Sequence, residues 1–160
     1  MRRLASALAV ALVVVLSSCS SSGSLADQMR SWVTSTGYGP STGTLIRDAA
    51  KATQVLVEQS GVNSAHTVCA VMLLDAESAN GNLPAPDPTA TTLLAKAYNA
   101  LGAAANACYA APNSPQALSN FQTFKATGLA DLSEATLRIG AIIGGTISTS
   151  TTRDNGAASQ

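Results

Sequence analysis

A capping residue followed directly by proline occurs twice in this chain, at Asp87-Pro88 and at Ser114-Pro115. Aspartate and serine can accept the free N–H groups of a helix start, and proline is favoured at the first helical position because its missing N–H would be unpaired there anyway. The two signals therefore predict the starts of two long helices, one ending near Tyr109 and the other near Ile143.

Apolar residues recur every three or four positions in three earlier segments, which is the period of one helix face. Ser24 and Asp27 form a capping-box pattern at the start of the first and shortest segment. The third contains residues 68–74, which are apolar all round and predict the most buried helix of the protein. These segments predict helices from about 24 to before 35, from about 44 to 60, and from about 63 to 80.

Together the segments predict an all-α fold, an up-and-down four-helix bundle with a short leading helix, over residues 25–144. We find no strand-type alternation and no internal repeat. Gly128 lies inside the fifth helix, where it either kinks the helix or splits it in two. Residues 145–160 are rich in Gly, Thr, Ser and Asn with almost nothing to bury, and they are predicted to form a disordered tail.

The chain begins with Met1-Arg2-Arg3 and continues with an apolar run over residues 4–16. A positive start, an apolar segment of about a dozen residues and small residues before a cleavage site are typical of a secretory signal peptide. The run is too short for a spanning helix, which needs roughly 17 to 25 apolar residues. We therefore predict that residues 1–18 are a signal peptide.

The residues Leu16-Ser17-Ser18-Cys19 resemble the lipobox of bacterial lipoproteins, and the wealth of Ala and Thr is similar to that of actinobacterial envelope lipoproteins. The resemblance implies that Cys19 carries a diacylglycerol, that the mature chain begins there, and that the protein sits on the outer face of the cell membrane. Two or more acyl chains hold a protein stably on a bilayer. Residues 19–24 then serve as the lipidated cysteine and a flexible tether. The alternative is an ordinary signal peptide with a chance cysteine near the cleavage site.

The charges limit the classes of partner. The whole chain is formally neutral, and loss of Arg2 and Arg3 with the signal peptide leaves two more acidic than basic side chains. No basic patch is therefore expected to bind nucleic acid or anionic lipid. Charged residues make up 11% of the chain, against about 25% in a typical domain. Uncharged polar residues must cover much of the surface.

With Cys19 lipidated, Cys69 and Cys108 remain as an even pair in an oxidising compartment, and we predict a disulfide between them. A closed loop of about 40 residues should stabilise the fold by roughly 4 kcal/mol. The alternative is two free thiols that bind a metal with His66, although no tetrahedral ligand set is present. A level antiparallel hairpin would miss the bond by about nine residues, or roughly 13 Å, so the fourth helix must start well beyond the end of the third.

No constellation of catalytic residues stands out. His66 is the only histidine, and we interpret it as a capping or surface residue. Asp75 and Glu77 are two apart on a helix and point in different directions, while Asp131 and Glu134 are interpreted as surface charges. The sequence has no nucleophile elbow, phosphate-binding loop or zinc signature. We therefore expect no enzymatic activity, no cofactor and no metal site.

Trp32 and Tyr38 mark the one candidate groove for a ligand or partner, between the first helix and the bundle. The alternative is that both rings only pad the edge of the domain. The first helix is expected to pack on the bundle, the other reading being that it lies on the membrane with Trp32 among the headgroups. Many small residues in the fourth helix favour a tight, dry core.

The sequence predicts a non-enzymatic, lipid-anchored protein that binds another cell-envelope component, either a protein or a part of the cell wall. A carrier or sensor of a small apolar molecule is the alternative. An apolar cavity above about 300 Å³ would favour the carrier, whereas a solid core with an exposed apolar patch would favour partner binding.

Overall fold

The structure, a computed structural model, describes residues 23–149. The predictions of a signal peptide over residues 1–18, of lipidation at Cys19 and of disorder over residues 150–160 fall outside this range. The described residues contain no strand, which confirms the all-α prediction. The helices are α1 (Leu25–Ser35), α2 (Tyr38–Val57), α3 (Val62–Asn80), α4 (Pro88–Ala110) and α5 (Pro115–Ile143), with a 3₁₀ turn at Ala111–Asn113.

Helices α2 to α5 alternate in direction. Tyr38, at the start of α2, contacts Thr136 near the end of α5, whereas Thr53 further along α2 contacts Lys125 earlier in α5. Helix α1 packs against α5 and α2. The end of the bundle that carries α1 and the end of α5 is called the proximal end below. The opposite end, formed by residues 58–61 and 111–114, is called the distal end.

The three capping signals predicted from the sequence are confirmed. The backbone N–H of Asp27 donates to the Ser24 hydroxyl, at 3.2 Å. The N–H of Ala90 donates to Oδ1 of Asp87, at 2.7 Å, and the Ser114 hydroxyl caps α5 in the same way. Each interaction pairs an N–H group that has no partner within the helix.

Helix α2 begins six residues before the predicted start near Thr44. Gly37 adopts a left-handed conformation, with φ of 60°, and lets the chain reverse directly after α1. Pro40 lies in the first turn of α2, where a helix does not need the missing N–H. Residues 37–40, which read as a turn in the sequence, are thus a tight reversal followed by a helix start.

The core of the bundle is closely packed, and helix α4 contributes the most buried hydrophobic side chains. The prediction that α3 is the most buried helix is wrong, because Val71 and Leu74 face outward from it. Large side chains with at most 1% exposure come from every helix: Met29, Leu45, Met72, Leu94, Leu101, Phe121, Leu132 and Ile139.

Gly128 does not split α5, which is continuous over 29 residues. A Cβ atom at this position would lie 2.7 Å from Cγ of Leu101 and 3.1 Å from the carbonyl oxygen of Ala97. Both of those atoms belong to α4. Gly128 therefore allows α4 and α5 to approach closely, as small residues do at helix contacts.

The predicted disulfide between Cys69 and Cys108 is confirmed, with 5.7 Å between the Cα atoms and both residues buried. The connection between α3 and α4 spans the offset that this bond requires. It is fixed by Ala85, whose N–H and carbonyl groups both bond the Thr91 hydroxyl, and by Leu83, which packs on the core.

The packed part of the chain extends beyond the boundary predicted at residue 144. Gly144 is left-handed, with φ of 69°, and the N–H of Gly145 donates to the carbonyl of Gly140. Ile147 packs against the core after this reversal. Residues 145–149 therefore belong to the packed domain, because a single apolar side chain and close backbone contacts hold a segment whose composition predicts disorder.

Candidate functional site

Trp32 and Tyr38 lie together, and Trp32, but not Tyr38, lines a shallow open cavity along α1. Their ring centroids are 5.5 Å apart with the planes tilted by 40°. Tyr38 is 3% exposed, and its hydroxyl hydrogen-bonds Oγ1 of Thr136 at 2.8 Å. Nε1 of Trp32 donates to the carbonyl of Asn82. The two rings therefore pack at the contact between α1, α2 and the α3–α4 connection, and the prediction of a ligand or partner groove at these residues stays a prediction.

Helix α1 packs on the bundle, as expected. Met29 is fully buried against the core. On the exposed side, Nη2 of Arg30 donates to the carbonyl of Ile143, at 2.8 Å, and so joins α1 to the last turn of α5. The carbonyl groups at a helix end lack partners in the helix, and the arginine supplies one.

His66 stacks on Tyr109 beside the disulfide. The ring centroids are 3.7 Å apart and the planes are within 8° of parallel. His66 lies one turn before Cys69 and Tyr109 directly follows Cys108, so the disulfide brings the rings together. The positions of His66 and Tyr109 relative to the two cysteines, taken with the disulfide, indicate this contact, whereas His66 by itself does not. The pair is a structural contact between α3 and α4.

Asp48 and Asp75 form a carboxyl pair between α2 and α3 that sequence reasoning missed. Burial, and then the nearby Asp75 carboxylate, raise the pKa of Asp48 to about 6. Arg47 and Lys51 act in the opposite direction. Asp75 also borders a small polar cavity with Thr44 and other residues at the start of α2. No sequence pattern links these two aspartates, because they lie on different helices.

A cleft of about 390 Å³ lies at the distal end of the bundle. The last turns of α2, the start of α3, the 3₁₀ turn and the start of α5 form its walls. Gln59, with φ of 50°, and Gly61, with φ of 95°, shape the α2–α3 connection at its edge. The lining comprises Val55, Leu56, Gln59, Gly61, Val62, Ala65, Ala111, Pro112 and Leu118.

Polar and apolar surface contribute about equally to the distal cleft. Val62 and Leu118 line the cleft and are also partly exposed at its mouth. The Gln59 amide can both donate and accept a hydrogen bond. No charged side chain lines the cleft. It can therefore accommodate an apolar group and hydrogen-bond an adjoining polar atom.

Within residues 23–149, no group of three or more His, Cys, Asp or Glu side chains could hold a metal ion. None of the helices described there is both long enough and apolar enough to cross a membrane.

Comparison with known proteins gave no relative, since no family model, no curated protein and no solved structure matches this chain.

Proposed function

We propose that this protein is a lipid-anchored, extracytoplasmic lipoprotein whose distal cleft binds an apolar group of another cell-envelope component. The anchor is argued from the lipobox pattern that ends at Cys19. The binding role is argued from the distal cleft, which is the observation that carries the proposal.

The position of the cleft suits a protein that is attached through its amino terminus. Four peptide bonds link Cys19 to Gly23, a span of at most about 14 Å. Gly23 leads into α1 at the proximal end, next to the end of α5. Helix α4 has 23 residues and is about 35 Å long, so the distal cleft lies far from the proposed anchor. A binding site there would face away from the bilayer.

The composition of the cleft favours a partner with an exposed apolar group. Its lining offers apolar contact and the Gln59 amide, with no charge to attract nucleic acid or a highly charged polymer. Val62 and Leu118 of the lining are exposed to solvent at 41% and 38%. Exposed apolar surface on a soluble domain is typical of an interaction site. An envelope protein, or an apolar part of an envelope component, fits this surface.

The same cleft supports a second candidate, a carrier or sensor of a small apolar molecule. Its volume of about 390 Å³ is within the range of about 300 to 1,000 Å³ that small-molecule sites occupy. A small ligand would remain with the purified protein, whereas a macromolecular partner would be captured by crosslinking. The two candidates therefore predict different results at one site.

The anchor is tested by replacing Cys19 with alanine in the full-length chain. We expect the wild-type protein to appear in the membrane fraction with a mass increased by acyl groups, and the variant to lack that added mass. A mature wild-type protein whose mass equals that of its amino acids would refute the lipid anchor.

The distal cleft is tested with a photo-crosslinking amino acid at Leu118 in intact cells. The matched control is Leu74, which is 63% exposed on the outer face of α3 and away from the cleft. We expect a defined crosslinked partner from position 118 and none from position 74. Native mass spectrometry of the uncrosslinked protein examines the second candidate. An equal pattern at both positions, with no bound small molecule, would refute both functions of the cleft.

A further inference from the structure

Helices α2 and α5 leave a groove between them on one side of the bundle. Each of the other neighbouring pairs, α2 with α3, α3 with α4 and α4 with α5, packs along its length, whereas α2 and α5 contact each other sparsely. Two hydrogen bonds of 2.8 Å bridge the gap, from Lys125 to Thr53 and between Tyr38 and Thr136. Space therefore remains between the helices for another segment.

Residues 145–149, called the C-terminal strap below, lie in this groove. The left-handed Gly144 turns the chain back after α5, and Ile147 of the strap packs against the core. A Cβ atom at Gly39 would lie 2.5 Å from the carbonyl oxygen of Ser148, and a Cβ atom at Gly43 would overlap the carbonyl oxygen of Thr149. The strap backbone thus occupies the space that two side chains of α2 would fill.

The spacing of the two glycines explains why the contact is continuous. Gly39 and Gly43 are four residues apart on α2, so they lie one above the other on the same helix face. Successive carbonyl groups of the strap meet these two positions. Glycine is less favourable than alanine in a helix. The close approach of another backbone is a physical reason for two glycines at this spacing.

The groove continues beyond the strap. A cavity of about 200 Å³ borders Thr149 and is lined by Thr42, Ile46, Leu129, Leu132, Ser133, Thr136 and Leu137. The Thr42 hydroxyl is buried and near the Tyr38 hydroxyl, but no described atom meets hydrogen-bond geometry with it. Leu137, which is 72% exposed, forms part of the open wall. The cavity therefore offers apolar contact next to the seated strap.

We propose that the α2–α5 groove is a peptide-binding site for an extended segment of small residues, and that the C-terminal strap occupies it in cis. The glycine positions select a backbone that approaches closely, and the site of Ile147 selects one β-branched apolar side chain. Glycine, serine and threonine suit the other positions because they are small and can hydrogen-bond. This site is separate from the distal cleft and does not depend on the lipid anchor.

The strap is replaceable in this proposal because it is held in part by being covalently attached. A tethered segment has a high effective concentration at its own site, so a free peptide of the same sequence competes poorly with it. Weakening the strap without changing the groove should let the free peptide bind. The affinity of the free peptide should therefore differ between the weakened chain and the wild-type chain, and this difference can be measured.

The experiment uses the full chain with Ile147→Asp, which places a charge where the strap meets the core. A synthetic peptide with the sequence of residues 145–160 is added, and the amide signals of Gly39 and Gly43 are followed by NMR. We expect saturable shifts in this variant and binding at least about tenfold weaker in the wild-type chain, whose own strap competes. Equal binding to both chains, or no binding to the folded variant, would overturn the proposal.

A matched pair of glycine substitutions tests where the peptide binds. Gly43→Ala, added to Ile147→Asp, places a Cβ atom in the path of the peptide backbone and should abolish the shifts. Gly102→Ala is the control, because a Cβ atom there would lie 3.7 Å from Leu73, an ordinary contact. Binding that survives Gly43→Ala would overturn the site.

A second measurement requires no substitution and covers the case in which Ile147→Asp disturbs the fold. In the wild-type chain, NMR cross-relaxation should connect the α-protons of Gly43 with protons of Thr149. An excess of the free peptide should weaken this signal. Its absence from a folded wild-type chain would show that the strap does not occupy the groove.

Discussion

The carboxyl group of Asp48 on α2 lies close enough to that of Asp75 on α3 for Asp75 to raise the pKa of Asp48. Asp48 is 6% exposed, and among the described residues its Oδ2 atom has no hydrogen-bond donor. Two carboxylates can form a hydrogen bond only if one of them holds a proton. At neutral pH the pair is therefore a destabilising contact in an otherwise well-satisfied bundle.

The Asp48–Asp75 pair should make the fold less stable as the pH rises. The pKa of Asp48 is raised from 3.8 to about 6 in the folded chain, so the folded state holds a proton that the unfolded state has lost. The resulting stabilisation is complete below pH 4 and disappears as the pH rises through 6. Asp48→Asn should raise the free energy of unfolding at pH 7 by about 1 kcal/mol and flatten this pH dependence.

Urea unfolding at pH 4.5 and pH 7 measures the effect of the pair. Glu77→Gln is the control, because Glu77 is an exposed acid on the same helix as Asp75. A variant Asp48→Asn that is less stable than the wild type at pH 7 would contradict a repulsive pair.

Asp87 should be more important for stability than its place in a connection suggests. Its carboxylate caps α4 and forms two hydrogen bonds with Arg138 on α5, at 2.9 and 3.2 Å. The Arg138 guanidinium lowers the pKa of Asp87, so its stabilisation is lost as the pH falls through and below the usual carboxyl range. Asp87→Ala should cost about 1 to 2 kcal/mol through loss of the cap.

Glu134→Gln is a matched control for Asp87→Ala. Glu134 lies four residues before Arg138 on α5, but in the structure Arg138 forms its ion pair with Asp87 instead. We therefore expect little change in the urea midpoint for Glu134→Gln. Equal destabilisation by both substitutions would contradict the assigned ion pair.

Reduction of the disulfide should destabilise the protein strongly. Cys69 and Cys108 are 39 residues apart, and a loop of this size predicts a contribution of roughly 4 kcal/mol. The double variant Cys69→Ala/Cys108→Ala should have a much lower melting temperature, while reductant should have no further effect on it. Two alkylatable thiols in the unreduced native protein would contradict the bond.

Gly128→Ala should destabilise the bundle even though alanine favours a helix. The new methyl group would overlap Leu101 of α4, and overpacking of a core typically costs about 1 to 3 kcal/mol. The same change at Gly102 meets only an ordinary contact with Leu73 and should be neutral or stabilising. Thermal unfolding of the two variants compares the positions directly. Gly128→Ala as stable as Gly102→Ala would contradict the close approach of α4 and α5.

Local signals predicted most of the helical framework. Ser24, Asp87 and Ser114 identified three helix starts because capping depends on residues a few positions apart. The start of α2 was missed because Gly37 and Pro40 usually indicate a turn, while burial of Tyr38 favours the helix. The disulfide followed from the number of cysteines and the expected compartment.

The contacts that the sequence did not predict join distant parts of the chain. Asp48 meets Asp75 only because of the rotation and register of α2 against α3. Gly43 accommodates Thr149 only because the chain reverses after α5. Residues 145–149 contain few apolar side chains, and their composition gives no information about the glycine face of α2 that they contact.

The left-handed turn at Gly144 also determines where new chain ends could be introduced by circular permutation. It returns the strap to the first turns of α2, so Gly23 and Thr149 both lie towards the proximal end. The distal surface is consequently built from two short connections and contains neither terminus of the described chain. A circular permutant opened in residues 58–61 and joined near the original termini should retain the same core. The two distal connections are therefore the segments expected to tolerate changes in length.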